Sequence, residues 1–159
     1  MLFRSLLDTP GGFTKPTWSI CKAILNSPVP VCIYIAPPGA RAGSAGVYMT
    51  YSAHFAAMAP STNIGAAHPV SGGGQQQPDS VMNEKITNDA VAQIKAAAER
   101  RGRNAEWAER AVRESVSITD NEALKLNVID LRAENLDDLL AQLDRSEERR
   151  VGKECRSRW

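Results

Sequence analysis

Two kinds of apolar pattern alternate along the chain. Val29 to Ala36 (VPVCIYIA) is a short continuous run rich in β-branched residues, which predicts a strand covered on both faces. Leu6-Leu7 reads as the end of a strand entering the turn Asp8-Thr9-Pro10-Gly11-Gly12, and Phe55 to Ala59 as a further short strand. Between these runs the spacing becomes helical. Thr17 to Asn26 predicts a helix with Trp18, Ile20, Ala23 and Ile24 inward, ended by Ser27-Pro28. Pro37 to Gly43 predicts a loop, and Ser44-Ala45-Gly46 opens a helix through about Ser52.

The second half is more helical. Met82, Ile86, Ala90, Ile94 and Ala97 recur at helical spacing between Val81 and Arg101, with Gly102 as the stop. Asn104 is placed to cap a helix that turns Trp107, Ala111 and Val112 inward. Thr119-Asp120-Asn121-Glu122 has the form of a capping box, and Asn127 suits the end of the short helix it opens. Val128 to Leu131 predicts a last strand, and Leu136, Leu139, Leu140 and Leu143 the apolar side of a closing helix. Strands alternating with helices imply crossover units and a mainly parallel sheet, hence an α/β fold.

Composition changes this picture at one place. Residues 145–159 (RSEERRVGKECRSRW) break abruptly from the Leu-rich helix and resemble, letter for letter, a short sequencing adapter translated in one frame. The domain is accordingly read as 1–144, with 145–159 an artefactual, disordered tail. Without six basic and three acidic residues of that tail, 13 basic (19 less 6) and 15 acidic (18 less 3) remain, a net of −2. A balance so close to zero gives no electrostatic footprint for nucleic acid. Cys21 and Cys32 lack metal-ligand spacing and read as small core residues, so no metal is expected. No apolar run approaches the roughly 20 residues of a membrane span, which predicts a soluble fragment.

Three features carry candidate chemistry. Asp8 to Gly12 is a strand end followed by glycines whose N–H groups can face an oxyanion, although such a sequence is commonly only a turn. Gly39 to Gly46 (GARAGSAG) sets Ser44 among small residues at a helix start, where Ala45 N–H and the helix dipole favour negative charge. Ser44 reads equally as a helix N-cap. Lys85 stands near the start of the helix carrying Met82 and Ile86, and burial would lower its pKa enough for a general base. Lys95 and Lys22 compete for that role, and exposure is the ordinary state of a helix lysine. His54 and His68 offer a rival Ser–His arrangement, with His68 also placed to line a substrate cleft.

These motifs occur together in a known order. LDTPGG (7–12), AILNSPVPVCIYIAPPGARAGSAGVY (23–48), AAMAPSTNIGAAHPV (56–70) and RGRNAEWAERAVRESVSITDNEALKLNVIDL (101–131) resemble the NfeD-type membrane-bound serine proteases of the ClpP class. The resemblance covers about Leu7 to Asp144. It implies a ClpP/crotonase-like fold of stacked β–β–α units, here shortened at the N-terminus, with one edge of the sheet left uncovered. It implies Ser44 as nucleophile, Lys85 in EKITNDA (84–90) as base, and Gly12, Gly11 and Ala45 as the oxyanion region, with no cofactor. It further implies a serine endopeptidase acting on hydrophobic segments of membrane-associated proteins, with stomatin-like partners and a homo-oligomer of two or more copies. In longer members the protease domain is extracytoplasmic and precedes transmembrane and small β-barrel domains.

Two features depart from the pattern. Phe13 to Cys21 (FTKPTWSIC) fits poorly, Pro16 and Trp18 above all, and Gly43 replaces the usual alanine before the nucleophile, a change expected to loosen the turn. Two other readings stand beside the protease. One is a non-catalytic crotonase-like binding module, and the other an inactive truncated fragment.

Overall fold

The computed structural model describes residues 2–70 and 80–145. The polar stretch 71–79 and the tail from 146 onward lie outside the described residues. Four strands, β1 (Phe3–Leu7), β2 (Val31–Ile35), β4 (Phe55–Met58) and β7 (Leu131–Arg132), form a parallel sheet in the order β1-β2-β4-β7. A second sheet has the order β3 (Arg41–Gly43), β5 (Asn63–Gly65), β6 (Ser117–Thr119), with β3 and β5 parallel and β6 antiparallel.

The chain repeats one unit: a strand in the first sheet, a strand in the second, then a helix. β2, β3 and α2 (Ala45–Ser52) make one such unit; β4, β5 and α3 (Ser80–Arg101) make the next. β1 and α1 (Thr14–Leu25) follow the same order, with Thr9 supplying a single parallel bridge to Ala42 in place of a second-sheet strand. α4 (Ala105–Arg113) and α5 (Asp120–Lys125) flank β6, and a last helix, α6, spans 136–145.

Strand alternation sorts the core. Val31 and Ile33 pack with Ile24 of α1 and Ala53, while Ile35, Ala56 and Met58 join the main core around α2, α3 and α4. Cys32, Tyr34, Phe55 and Ala57 face the other way, onto Leu139 and Leu143 of α6. β2 is therefore covered on both faces, as its continuous apolar run predicts.

Two predicted segments differ from the observed ones. Pro37 to Gly43, expected as a loop, contains β3, because three residues are too few to show an alternating pattern. The last strand is Leu131–Arg132, and Val128 and Ile129 are instead buried in the main core. On α1 the buried stripe is Thr17, Cys21 and Ile24, whereas Ile20 and Ala23 face outward. Pro16 is tolerated there because it falls in the first turn, where its missing N–H has no intrahelical acceptor. Leu139 and Leu143 of α6 are buried, but Leu136 is exposed. On α3, Ala90, Ile94 and Ala97 are inward, but Met82 and Ile86 are 50% and 39% exposed. The first turns of α3 run past the body they were expected to pack on.

Arg103 is a buried group that apolar periodicity does not reveal. Its guanidinium donates to the carbonyls of Thr50 (3.3 Å), Tyr51 (3.0 Å) and Ala53 (2.9 Å) at the end of α2, and to Asp130. Asp130 Oδ2 also accepts the N–H of Ala56 at 2.7 Å. One cation thus joins α2, the α3–α4 turn, β4 and the approach to β7. Arg103→Ala strands those carbonyls and the Asp130 carboxylate, and should lower stability by roughly 3 kcal/mol in urea unfolding.

Burial also makes stability depend on alkaline pH. It pushes the Cys32 thiol up to about 12 from 9.0, helped by the charge of Asp130, and raises the phenols of Tyr48 and Tyr51. These groups must be neutral in the fold, so their stabilisation is complete below the unfolded pKa and is lost as pH rises through the folded one. Stability should fall between about pH 9 and 12, and Cys32→Ala should reduce the slope of unfolding free energy against pH in that window.

Candidate active site

Ser44 sits where β3 turns into α2. It has φ 48° and ψ −108°, outside the ordinary basins for a residue with a side chain. Its N–H donates to Gly65 O (3.1 Å) and its carbonyl accepts from Val47 N (3.0 Å), so strand and helix together hold the conformation. It occupies the N-cap position, yet its side chain makes no capping hydrogen bond. A serine placed for capping would spend its hydroxyl there. This one is half-buried and opens into a cleft.

The Asp8–Gly12 segment is fastened beside it. Arg41 N–H donates to Asp8 Oδ1 (3.1 Å), Thr9 N–H to Arg41 O (2.8 Å), and Gly43 N–H to Thr9 O (2.9 Å). This approach needs Gly43: a Cβ there would lie 2.9 Å from the Pro10 carbonyl oxygen. The glycine does not loosen the turn, as its sequence position suggested; it lets the two backbones close up. Gly11 (φ 151°) has the same function toward the serine, since its Cβ would lie 3.2 Å from Ser44 Cβ and 3.6 Å from Oγ.

The N–H groups around Ser44 are not equivalent. Gly11 N–H donates to Thr9 Oγ1 (3.2 Å). For Gly12 N–H no acceptor occurs among the described residues, and Ala45, as the first residue of α2, has none within its helix. Gly12 and Ala45 both line the cleft with Ser44.

That cleft has a volume of about 200 Å³. It is lined by Thr17 and Trp18 of α1, Tyr48 of α2, and Ile86 and Asp89 of α3. Trp18 meets Tyr48 edge to face, with centroids 4.8 Å apart and planes at 88°. Tyr48 is fixed in turn by its hydroxyl, which donates to Ala67 O at 2.9 Å.

The other predicted residues are not gathered there. Lys85 is exposed and does not line the cleft, although Ile86 and Asp89 on the same helix do. The burial expected of it is absent, because the first turns of α3 lie beyond the core. Lys95 pairs with Glu109 at 2.8 Å, and neither it nor Lys22 lines the cleft. The histidines are engaged elsewhere. His54 Nδ1 accepts from Val31 N–H at 3.2 Å at the far end of α2, and His68 Nδ1 bonds Val112 O at 2.9 Å. Ala67, Pro69 and Val70 line the cleft, and His68 between them does not. Among the described residues no group of acidic, histidine and cysteine side chains is arranged to hold a metal.

Comparison with known proteins gives this geometry a family. Residues 5–148 match the NfeD1b N-terminal domain. The chain is 44% identical over 134 residues to the membrane-bound protease PH1510 of Pyrococcus horikoshii, covering 84% of this chain and 30% of that one. It thus spans about a third of that relative's length. Among solved structures, the 1510-N membrane-bound stomatin-specific protease matches with TM-score 0.81 and 40% identity in two forms. One is a lysine-to-alanine variant with a substrate peptide, covering 88% of this chain and 64% of that chain. The other is a serine-to-alanine variant, covering 88% and 68%. ClpP1 from Listeria monocytogenes shares the fold at TM-score 0.64 and 17% identity, covering 86% of this chain and 75% of that one. An enoyl-CoA hydratase/isomerase from Marinobacter aquaeolei shares it at 0.54 and 18%, covering 85% and 44%. The α/β architecture is therefore the ClpP/crotonase-like fold, and the chain belongs to the NfeD1b N-terminal domain family.

Proposed function

We propose that this chain is the catalytic domain of a serine endopeptidase, with Ser44 as nucleophile and Lys85 as general base. The observation that carries the reading is the conformation of Ser44. Its hydroxyl is released from capping and held in a cleft also lined by Gly12 and Ala45, for whose N–H groups no acceptor occurs among the described residues. An oxyanion formed at Ser44 would lie against both donors and the positive end of α2. Gly11, grouped with them on sequence grounds, spends its N–H on Thr9 and instead keeps space open at the serine.

The reaction is acyl transfer. Neutral Lys85 removes the hydroxyl proton as Ser44 Oγ bonds to the scissile carbonyl carbon. The ammonium so formed returns that proton to the leaving amine as the C–N bond breaks. Water then attacks the acyl-serine, giving up a proton to Lys85; the ammonium passes that proton to Ser44 Oγ as the acyl C–O bond breaks, and the carboxylic acid product leaves and ionises in solvent.

Family register supports Lys85 over Lys95. In 1510-N the serine and lysine replaced by alanine stand 41 positions apart, the same separation as Ser44 and Lys85 (85 − 44). Lys95 is moreover held by Glu109. The exposure of Lys85 in a single chain means that the dyad needs something laid over the start of α3, where Val81, Met82 and Ile86 present apolar surface. A peptide in the cleft, or a second copy of the chain, supplies that cover. The proposed substrates are hydrophobic segments of membrane-associated, stomatin-like proteins, cleaved on the extracytoplasmic side; the membrane-bound, stomatin-specific relative supports this reading. No helix among the described residues is long and apolar enough to cross a membrane.

Ser44→Ala should abolish peptide cleavage and labelling by a fluorophosphonate probe. Lys85→Ala should lower kcat/KM by about 100- to 10,000-fold, with Lys95→Ala close to wild type. Cleavage that survives Lys85→Ala would remove the lysine from the mechanism. A folded protein that never acylates at Ser44 would instead be the non-catalytic binding module.

Gly43→Ala tests the clamp. The added methyl must displace the Pro10 carbonyl and, with it, Gly12. It should cost about 1–3 kcal/mol in stability and lower kcat more than it raises KM. Steady-state kinetics alongside thermal unfolding read both effects.

A further inference from the structure

We propose that Trp18 determines which substrate side chain the cleft accepts beside the scissile bond, limiting it to compact aliphatic groups; this rests on the peptidase reading of Ser44. Trp18 and Tyr48 line two cavities at once. On one side is the cleft that holds Ser44, Gly12 and Ala45; on the other is a smaller cavity of about 40 Å³ bounded by Cys21, Leu25, Ser52, Gln93, Ile94 and Ala97. The edge-to-face ring pair is the partition between them.

Tyr48 anchors the partition: it is 6% exposed and its hydroxyl is bonded to Ala67 O. Trp18 is half-buried on α1 and packs on Tyr48 through the edge-to-face contact.

The size of the cleft then sets the limit. A closed apolar cavity of about 150 Å³ takes one benzene ring. The cleft beside Ser44 offers about 200 Å³ and is open to solvent on one side, a space that an aliphatic side chain fills more readily than an indole does. The lining is apolar apart from Asp89 and hydroxyls, which favours an aliphatic group over a polar one. Removing the indole joins the two cavities and adds the volume of the ring.

The test is a set of peptides that differ only at the residue supplying the scissile carbonyl: Ala, Leu, Phe or Trp. Wild-type protein should cleave after Leu at least about tenfold better than after Trp, judged by kcat/KM. Trp18→Ala should raise the Trp-to-Leu ratio about tenfold or more. Trp18→Leu, which keeps more of the packing, should move it in the same direction, and thermal unfolding shows that each variant is folded. A second arm does not need catalysis. In Ser44→Ala protein, N-acetyl-leucinamide should shift NMR signals of Ala45 and Tyr48 at lower concentration than N-acetyl-tryptophanamide, with the order reversed when Trp18→Ala is added. Inverted binding without any cleavage would retire the peptidase reading and leave the Trp18 partition standing. Unchanged ratios in folded Trp18→Ala and Trp18→Leu, with unchanged ligand order, would overturn the partition.

Discussion

The architecture turns on one helix that is buried from end to end. All but one of the eight residues of α2 are buried, so water cannot satisfy the backbone groups at its ends. The two ends meet this constraint in opposite ways. At the C-terminus Arg103 takes three carbonyls with one guanidinium, and its positive charge complements the negative end of the helix dipole. At the N-terminus the N–H groups are left facing a cleft. A buried helix capped so firmly at one end can be left open at the other, and the open end carries Ser44.

Half of the proposed machinery is therefore built into the fold and half is not. The nucleophile and its neighbouring donors are held by both sheets: by Gly65 through the Ser44 N–H, and by Thr9 and Arg41 through the Asp8–Gly12 segment. These contacts are made of backbone and cost nothing to reorganise when charge develops. The base is different. A lysine must lose water to become a base near neutral pH, and Lys85 stands on turns of α3 that none of the described residues buries. Requiring an occupied cleft or a neighbouring copy before the dyad assembles would keep an isolated domain from cleaving indiscriminately.

The sequence exposed the parts of this molecule that depend on local chemistry. Continuous burial of β2, the Thr119–Glu122 capping box and the Asn104 cap follow from residue types at fixed spacing, and all are present. What it concealed depends on distant partners. β3, β5 and β6 have three residues each and are strands only because they find one another. Arg103 looks like any basic residue after a helix stop until α2 ends above it. Met82 and Ile86 continue the helical period of Ala90 and Ile94, yet periodicity cannot say where the body they should pack against ends. The same limit applies at the site: local residue types single out Ser44 and the glycines only as candidates, and whether Lys85 is buried or exposed is a tertiary property that no local pattern encodes.

Two features set apart on reading the sequence lie near Ser44. Gly43 precedes it and lies against the Pro10 carbonyl, and Trp18 lines the cleft that Ser44 also lines. Pro16 falls in the one turn of α1 that tolerates it, just before the residues that form the cleft wall. Variation scattered through the core would have to be compensated site by site, because interiors are close-packed. Variation confined to one wall of a cleft has only the substrate to answer to. The segment 13–21 docks α1 through Thr17 and Cys21 and turns Trp18 toward the cleft, so a change of residue at 18 would alter the cleft wall and leave the buried stripe in place.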